Sequence, residues 1–195
     1  MYEPLTVCKA NAEETTEIYN TWMKQQFHQD ELKSLHHIEV MCARGEYAVY
    51  GMWEGENLLA YALLGRTVGG NDVLLDYYAV LPQYQDRGYG GVFLGKLREK
   101  LEDVDNIIIE VENPEFAQNP QEKEKEQRRI RFYEKNACEY TDIRVNLFGF
   151  EYVIMVLPVR DRETDDAILN QLSAIYHVFF PKEVYQKYVK IRREA

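Results

Sequence analysis

The chain has 195 residues, 46% of them apolar and 29% charged, with a formal net charge of −10. That mix is globular, and the length suits one domain with a sizeable core or a domain plus an extension. The acidic balance argues against a general nucleic-acid binder, whose affinity rests on basic patches. It leaves room for a cationic small-molecule partner. No apolar run approaches the roughly 18 residues of a membrane span.

The first residues carry neither a basic n-region nor an apolar h-region, so a cytoplasmic protein is expected. Residues 5–10 read as a short strand. A helix follows from Asn11, a plausible N-cap with Glu14 three residues on, and Ile18, Trp22 and Met23 form its apolar side. Residues 30–45 predict a second helix, with Leu32, Leu35 and Cys42 near helical spacing and Gly45 as its stop. Three strands are expected over 46–54, 57–68 and 72–80, with glycine turns between them, as in an antiparallel meander. A helix over 92–101 places Phe93, Leu94, Leu97 and Leu101 on one face.

Residues 106–112, Asn-Ile-Ile-Ile-Glu-Val-Glu, read as a strand buried on both faces. Another helix spans 123–137, and two strands follow with a break at Phe148-Gly149. In 164–179, Ile168, Leu172, Ile175 and Phe179 predict an amphipathic helix. Pro181 stops it, and a last short helix is expected over 182–193. This tail packs on its own domain or makes a homodimer contact. Cys8, Cys42 and Cys138 lack CxxC pairing, so free buried thiols are expected. No residues stand at metal-ligand spacing; His36-His37 reads as helix surface.

The most informative stretch is Gln85-Asp86-Arg87-Gly88-Tyr89-Gly90-Gly91. Three glycines in four positions sit between a strand and a helix start. There the unpaired N–H groups and the helix dipole can hold an anion that approaches the backbone without meeting a Cβ. A tight turn without a ligand is the competing reading. The P-loop and dinucleotide patterns both fail here.

Gln85, Gly88 and Gly90 do fit Gln/Arg-x-x-Gly-x-Gly/Ala, preceded by Val80-x-Pro82. Together with the element order this resembles the GNAT (Gcn5-related N-acetyltransferase) superfamily. Ile130, Phe132, Tyr133, Glu134 and Lys135 match the end of the family's catalytic helix. Arg129 replaces a usual small residue, Ala137 a usual Gly and Cys138 a usual Phe, and Glu126 stands where many members carry Asn.

The resemblance implies an α+β fold, a mixed and mostly antiparallel sheet flanked by helices, with a C-terminal helical extension. Residues 1–160 would be the acetyltransferase domain and 161–195 the extension. It implies acetyl-CoA as cosubstrate and no metal. Backbone groups of Ala79, Val80 and Leu81 would meet the pantetheine arm. Those of Gln85, Asp86, Arg87, Gly88, Tyr89, Gly90 and Gly91 would hold the pyrophosphate. Tyr133 would donate a proton to the leaving thiolate.

Glu110 and Glu112, on one face of their strand, are the candidate general bases, with Asp76 a weaker one. Phe27 and His28 border the acceptor side. Arg129 would favour an acidic acceptor, while net charge favours a cationic one. The expected partner is a small-molecule or peptide amine, with no nucleic acid and no membrane. The alternative is a non-catalytic CoA-binding regulator of the same fold.

Overall fold

The computed structural model describes residues 4–194. The chain divides into two compact units, Met1–Val68 with Leu75–Lys100, and Gly69–Leu74 with Leu101–Ala195.

In the first unit, β1 (Leu5–Lys9) leads into α1 (Ala12–Glu17). The predicted cap is present: Asn11 Oδ1 accepts from the Glu14 N–H at 2.9 Å, and Glu14 Oε2 accepts from the Asn11 N–H at 2.7 Å. The helix then widens into a π-helical stretch, Ile18–Met23, before a last turn, α2 (Lys24–Gln26). Ile18, Tyr19 and Met23 are buried there, while Trp22 is only half-buried.

The second predicted helix starts later than its apolar spacing suggests. A 3₁₀ turn covers Gln29–Glu31, and α3 (Leu35–Ala43) begins after Ser34, whose hydroxyl accepts from the His37 N–H at 3.2 Å. Gly45 ends it at φ +73°.

β2 (Tyr47–Glu54), β3 (Asn57–Gly65) and β4 (Asp72–Val80) follow; β4 belongs to the first unit from Leu75 onward, and the strand order is β1-β2-β3-β4. β1/β2 and β2/β3 pair antiparallel. α4 (Tyr89–Lys100) packs on β1 and β3, burying Phe93, Leu94 and Leu97. It takes in Tyr89, Gly90 and Gly91, so two of the three loop glycines form its first turn.

The second unit is built on β5 (Asn106–Glu112), β6 (Glu139–Leu147), β7 (Phe150–Pro158) and β8 (Val189–Arg193), ordered β5-β7-β6-β8 with each neighbour antiparallel. Ile107, Ile108, Ile109 and Val111 are buried, as a strand covered on both faces requires. Phe148 and Gly149 turn the β6–β7 hairpin with φ of 53° and 93°.

α5 (Pro120–Lys135) packs on β5. It starts earlier than predicted because Asn119 caps it and Pro120 takes the first turn, where its missing N–H costs nothing. α6 (Asp165–Phe179) buries Ile168, Leu172, Ile175 and Phe179 as predicted, and packs on β6. The tail departs from its reading at the end. α7 (Lys182–Tyr188) stops at Tyr188, and residues 189–193 pair with β6 as β8 rather than continuing the helix. The expected fold class, mixed and mostly antiparallel strands flanked by helices, is the one present.

Candidate functional site

In the first unit the glycine loop runs from the end of β4 to the start of α4. Asp86 and Gly88 both take left-handed backbone, at φ 58° and +81°. Gly88 does this without steric cost, whereas Asp86 is among the few side chains that tolerate it. Gln85 to Gly88 are exposed and Tyr89 to Gly91 half-buried. The Gly88 carbonyl accepts the first helical bond, from Val92 N–H at 3.3 Å. Among the described residues the N–H groups from Asp86 to Gly91 have no such carbonyl partner, which is the condition for anion binding, whereas the Gln85 N–H is spent on the Pro82 carbonyl at 3.4 Å. Tyr78 fixes this turn from β4, its hydroxyl donating to the Gly90 carbonyl at 2.5 Å and its ring stacked on Phe93.

The strand end beside the loop is already furnished. Two side-chain amides donate to the Val80 carbonyl, Gln26 at 2.9 Å and Gln85 at 3.0 Å, and Tyr61 in turn donates to Gln26 at 2.8 Å. The Leu81 N–H is spent on the Leu59 carbonyl, at 2.9 Å. Sequence reasoning missed Gln26, which stands 54 residues before its partner.

Asp76 is engaged as well. Lys33 Nζ lies 2.9 and 2.6 Å from its two oxygens, and the Tyr47 hydroxyl donates to it. Burial first, and then Asp76, pushes the Tyr47 phenol well above its ordinary range. Phe27 meets the Tyr77 ring edge-on at 5.1 Å, whereas the His28 ring lies largely exposed.

The second unit carries the other candidates. Tyr133 lies in the last turn of α5, with 6% of its surface exposed. Burial pushes its phenol well above its ordinary range. Arg129, one turn earlier, pulls it back, while Cys138 and Glu112 add to the rise. Raised in this way, the phenol is protonated at neutral pH and its hydroxyl can donate a hydrogen bond.

Glu112 forms an ion pair with Arg129. Glu110, two residues before it, instead accepts a hydrogen bond from the hydroxyl of Tyr176 on α6. The shared strand face is as predicted, but the two carboxylates have different partners. Glu126 Oε2 has no donor among the described residues, and burial, with Glu112 next, raises its carboxyl above the ordinary value. Ala137, where the resemblance expects Gly, holds φ 63°.

Among the described residues, no group of three or more His, Cys, Asp or Glu could hold a metal ion, and no helix is long and apolar enough to cross a membrane. The cysteines are free, but only Cys138 is buried; Cys8 is exposed and Cys42 intermediate.

The sequence matches the Acetyltransferase (GNAT) family over residues 12–137, well over half of the chain. The protein belongs to the GNAT acetyltransferase family. No protein of curated function matches it in sequence. Solved GNAT structures share its fold. A GNAT-family protein from Bacteroides thetaiotaomicron superposes with a TM-score of 0.68 at 19% identity, covering 88% of this chain and 97% of its own. The ribosomal-protein-S18-alanine N-acetyltransferase of Escherichia coli gives 0.57 at 21%, covering 82% and 97%. The spermidine N-acetyltransferase of Vibrio cholerae, solved with CoA and spermine, gives 0.58 at 11%, covering 79% and 95%.

Within the GNAT segment Ala137 follows the end of α5 in left-handed backbone, a conformation that glycine takes more readily than alanine. Tyr176 lies beyond the family segment, and the apolar spacing of Ile168, Leu172, Ile175 and Phe179 did not single it out. Its separation of 66 positions from Glu110 gave no signal of their contact.

Proposed function

We propose that the protein transfers an acetyl group from acetyl-CoA to a primary amine by direct attack. Acetyl-CoA supplies the acetyl group as a thioester. The backbone N–H groups from Asp86 to Gly91 hold the pyrophosphate, that of Gln85 being engaged by the Pro82 carbonyl, and the strand end at Ala79, Val80 and Leu81 faces the pantetheine arm. The observation that carries this reading is the loop itself. Left-handed Asp86 and Gly88 open directly onto the first turn of a twelve-residue helix. Because side chains occupy the Val80 carbonyl, the arm must find its partners elsewhere or displace Gln26 or Gln85.

In the transfer, the amine nitrogen bonds to the acetyl carbonyl carbon and the C–S bond breaks. The nitrogen attacks as the neutral amine; one proton then leaves it for a carboxylate and one passes from the Tyr133 hydroxyl to the sulfur, after which the carboxyl gives a proton to solvent and the tyrosinate regains one. Glu110 is taken as the base of the pair, because Glu112 faces a guanidinium, and a carboxylate so paired gives up its charge less readily. Retention of a buried tyrosine in this helix favours catalysis over a purely regulatory CoA-binding role.

The acceptor is a cationic amine. The net charge of −10 favours one, and pairing with Glu112 removes most of the case for Arg129 as a receptor for an acidic acceptor. Fold relatives act on a ribosomal-protein alanine and on spermidine, so polyamines and peptide amines are the classes to test. The test is a library of such amines with acetyl-CoA, read by release of CoA thiol. Turnover of at least one cationic amine is expected. Absence of turnover across the library, with CoA bound, would favour the regulatory reading.

A further inference from the structure

The geometry points to Tyr176, on the helix beyond the GNAT segment, as the positioning residue for Glu110. This rests on the reading of Glu110 as general base. Tyr176 is 1% exposed, in the middle of the stripe that anchors α6. Packing alone would be served by phenylalanine, since a buried phenol must find a partner for its hydroxyl. Here the partner is the side-chain carboxyl of Glu110 on β5, which accepts from the Tyr176 hydroxyl.

The donor is itself rigidly held. Thr164 caps α6, with its hydroxyl 3.3 Å from the Ala167 N–H. Asp165 Oδ2 accepts from the Asp142 N–H at 2.8 Å, tying the helix start to β6. Ile168, Leu172, Ile175 and Phe179 are all buried around it.

Glutamate has three rotatable side-chain bonds, which allow a half-buried carboxylate more than one position. A donor fixed by a packed helix selects one of them. The extension then belongs to the catalytic apparatus through one oxygen atom, and Tyr176 acts on the reaction only through Glu110.

The experiment is a double-mutant cycle in the full chain, using the best amine found for the parent. Tyr176→Phe should lower kcat about tenfold, within the range that misplacement of a catalytic group produces, with the KM for acetyl-CoA unchanged. In a Glu110→Gln background the same substitution should have no further effect. Leu172→Ala, which loosens the same helix without touching the hydroxyl, should lower the melting temperature more and kcat less.

The inference is overturned if Tyr176→Phe slows Glu110→Gln by the same factor as the parent, or if Leu172→Ala reproduces the kcat loss. It also fails if Tyr176→Phe does not fold, since the hydroxyl's duty would then be structural. A parent-like Tyr176→Phe beside a crippled Glu110→Gln sinks this inference alone. A parent-like Glu110→Gln sinks the base assignment and this inference with it.

Discussion

Arg129 and Glu112 form an ion pair between α5 and the end of β5, one helical turn before Tyr133. Both side chains are about one-third exposed, at 37% and 34%, so solvent screens the pair and it contributes about 1 kcal/mol at most. Its larger consequence is chemical. Glu112→Gln is expected to keep kcat within about fivefold of the parent, while Glu110→Gln loses about a hundredfold, the lower end of general-base effects. Steady-state kinetics with one accepted amine decide this. The reverse ranking would make Glu112 the base.

The Ala137 backbone is a stability prediction. A left-handed alanine costs about 1–2 kcal/mol, part of which glycine would return as freedom lost from the unfolded chain. Ala137→Gly should therefore stabilise the protein by about 0.5–1 kcal/mol, measured by urea unfolding. A variant no more stable than the parent would show that the strain is relieved elsewhere.

Asp72 predicts a pH dependence. It is fully buried; its Oδ1 accepts from the Asn106 backbone N–H at 3.0 Å and from the Asn106 Nδ2 at 3.1 Å. Its Oδ2 and the Asn106 Oδ1 have no donor among the described residues. Burial pushes the carboxyl up to about 6, with the Asn106 bonds working against the rise. The folded state thus holds this proton more tightly than the unfolded chain. The stabilisation is present in full below the ordinary carboxyl range and is lost as pH rises through about 6. Asp72→Asn keeps a neutral group at every pH. Relative to that variant, the parent should lose roughly 1 kcal/mol between pH 5 and pH 7.5. A gap that stays constant over this range would contradict the shift.

CoA should stabilise the fold through the glycine loop. At about 100 times Kd the gain is roughly 2.7 kcal/mol, or a melting-temperature rise of several degrees. Gly90→Val should abolish the rise without unfolding the protein. Normal CoA binding by that variant would remove the loop from the site.

Local signals carried much of this structure. The capping box at Asn11 and Glu14, the stop at Gly45 and the apolar stripe of α6 are each set by neighbours within a few residues, and each is where its spacing puts it. Non-local terms hid the rest. The π-helical Ile18–Met23 looks like ordinary helix because one extra residue in a turn scarcely alters an apolar period. Residues 189–193 become a strand because β6 offers them an edge, which their own composition does not announce. The glycine loop and Tyr133 were legible as motifs. The side chains bonded to Val80 and to Glu110, Gln26 and Tyr176, come from distant stretches of chain.

Tyr133→Phe tests the central claim most directly. The substitution keeps the ring in its buried place and removes only the hydroxyl, in a phenol that burial keeps protonated. With an accepted amine, kcat should fall about 10²–10⁴-fold, as for loss of a positioned general acid. CoA affinity should stay nearly unchanged, because the hydroxyl matters as the thiolate forms. A variant that turns over within about threefold of the parent would make Tyr133 a packing residue and contradict the mechanism.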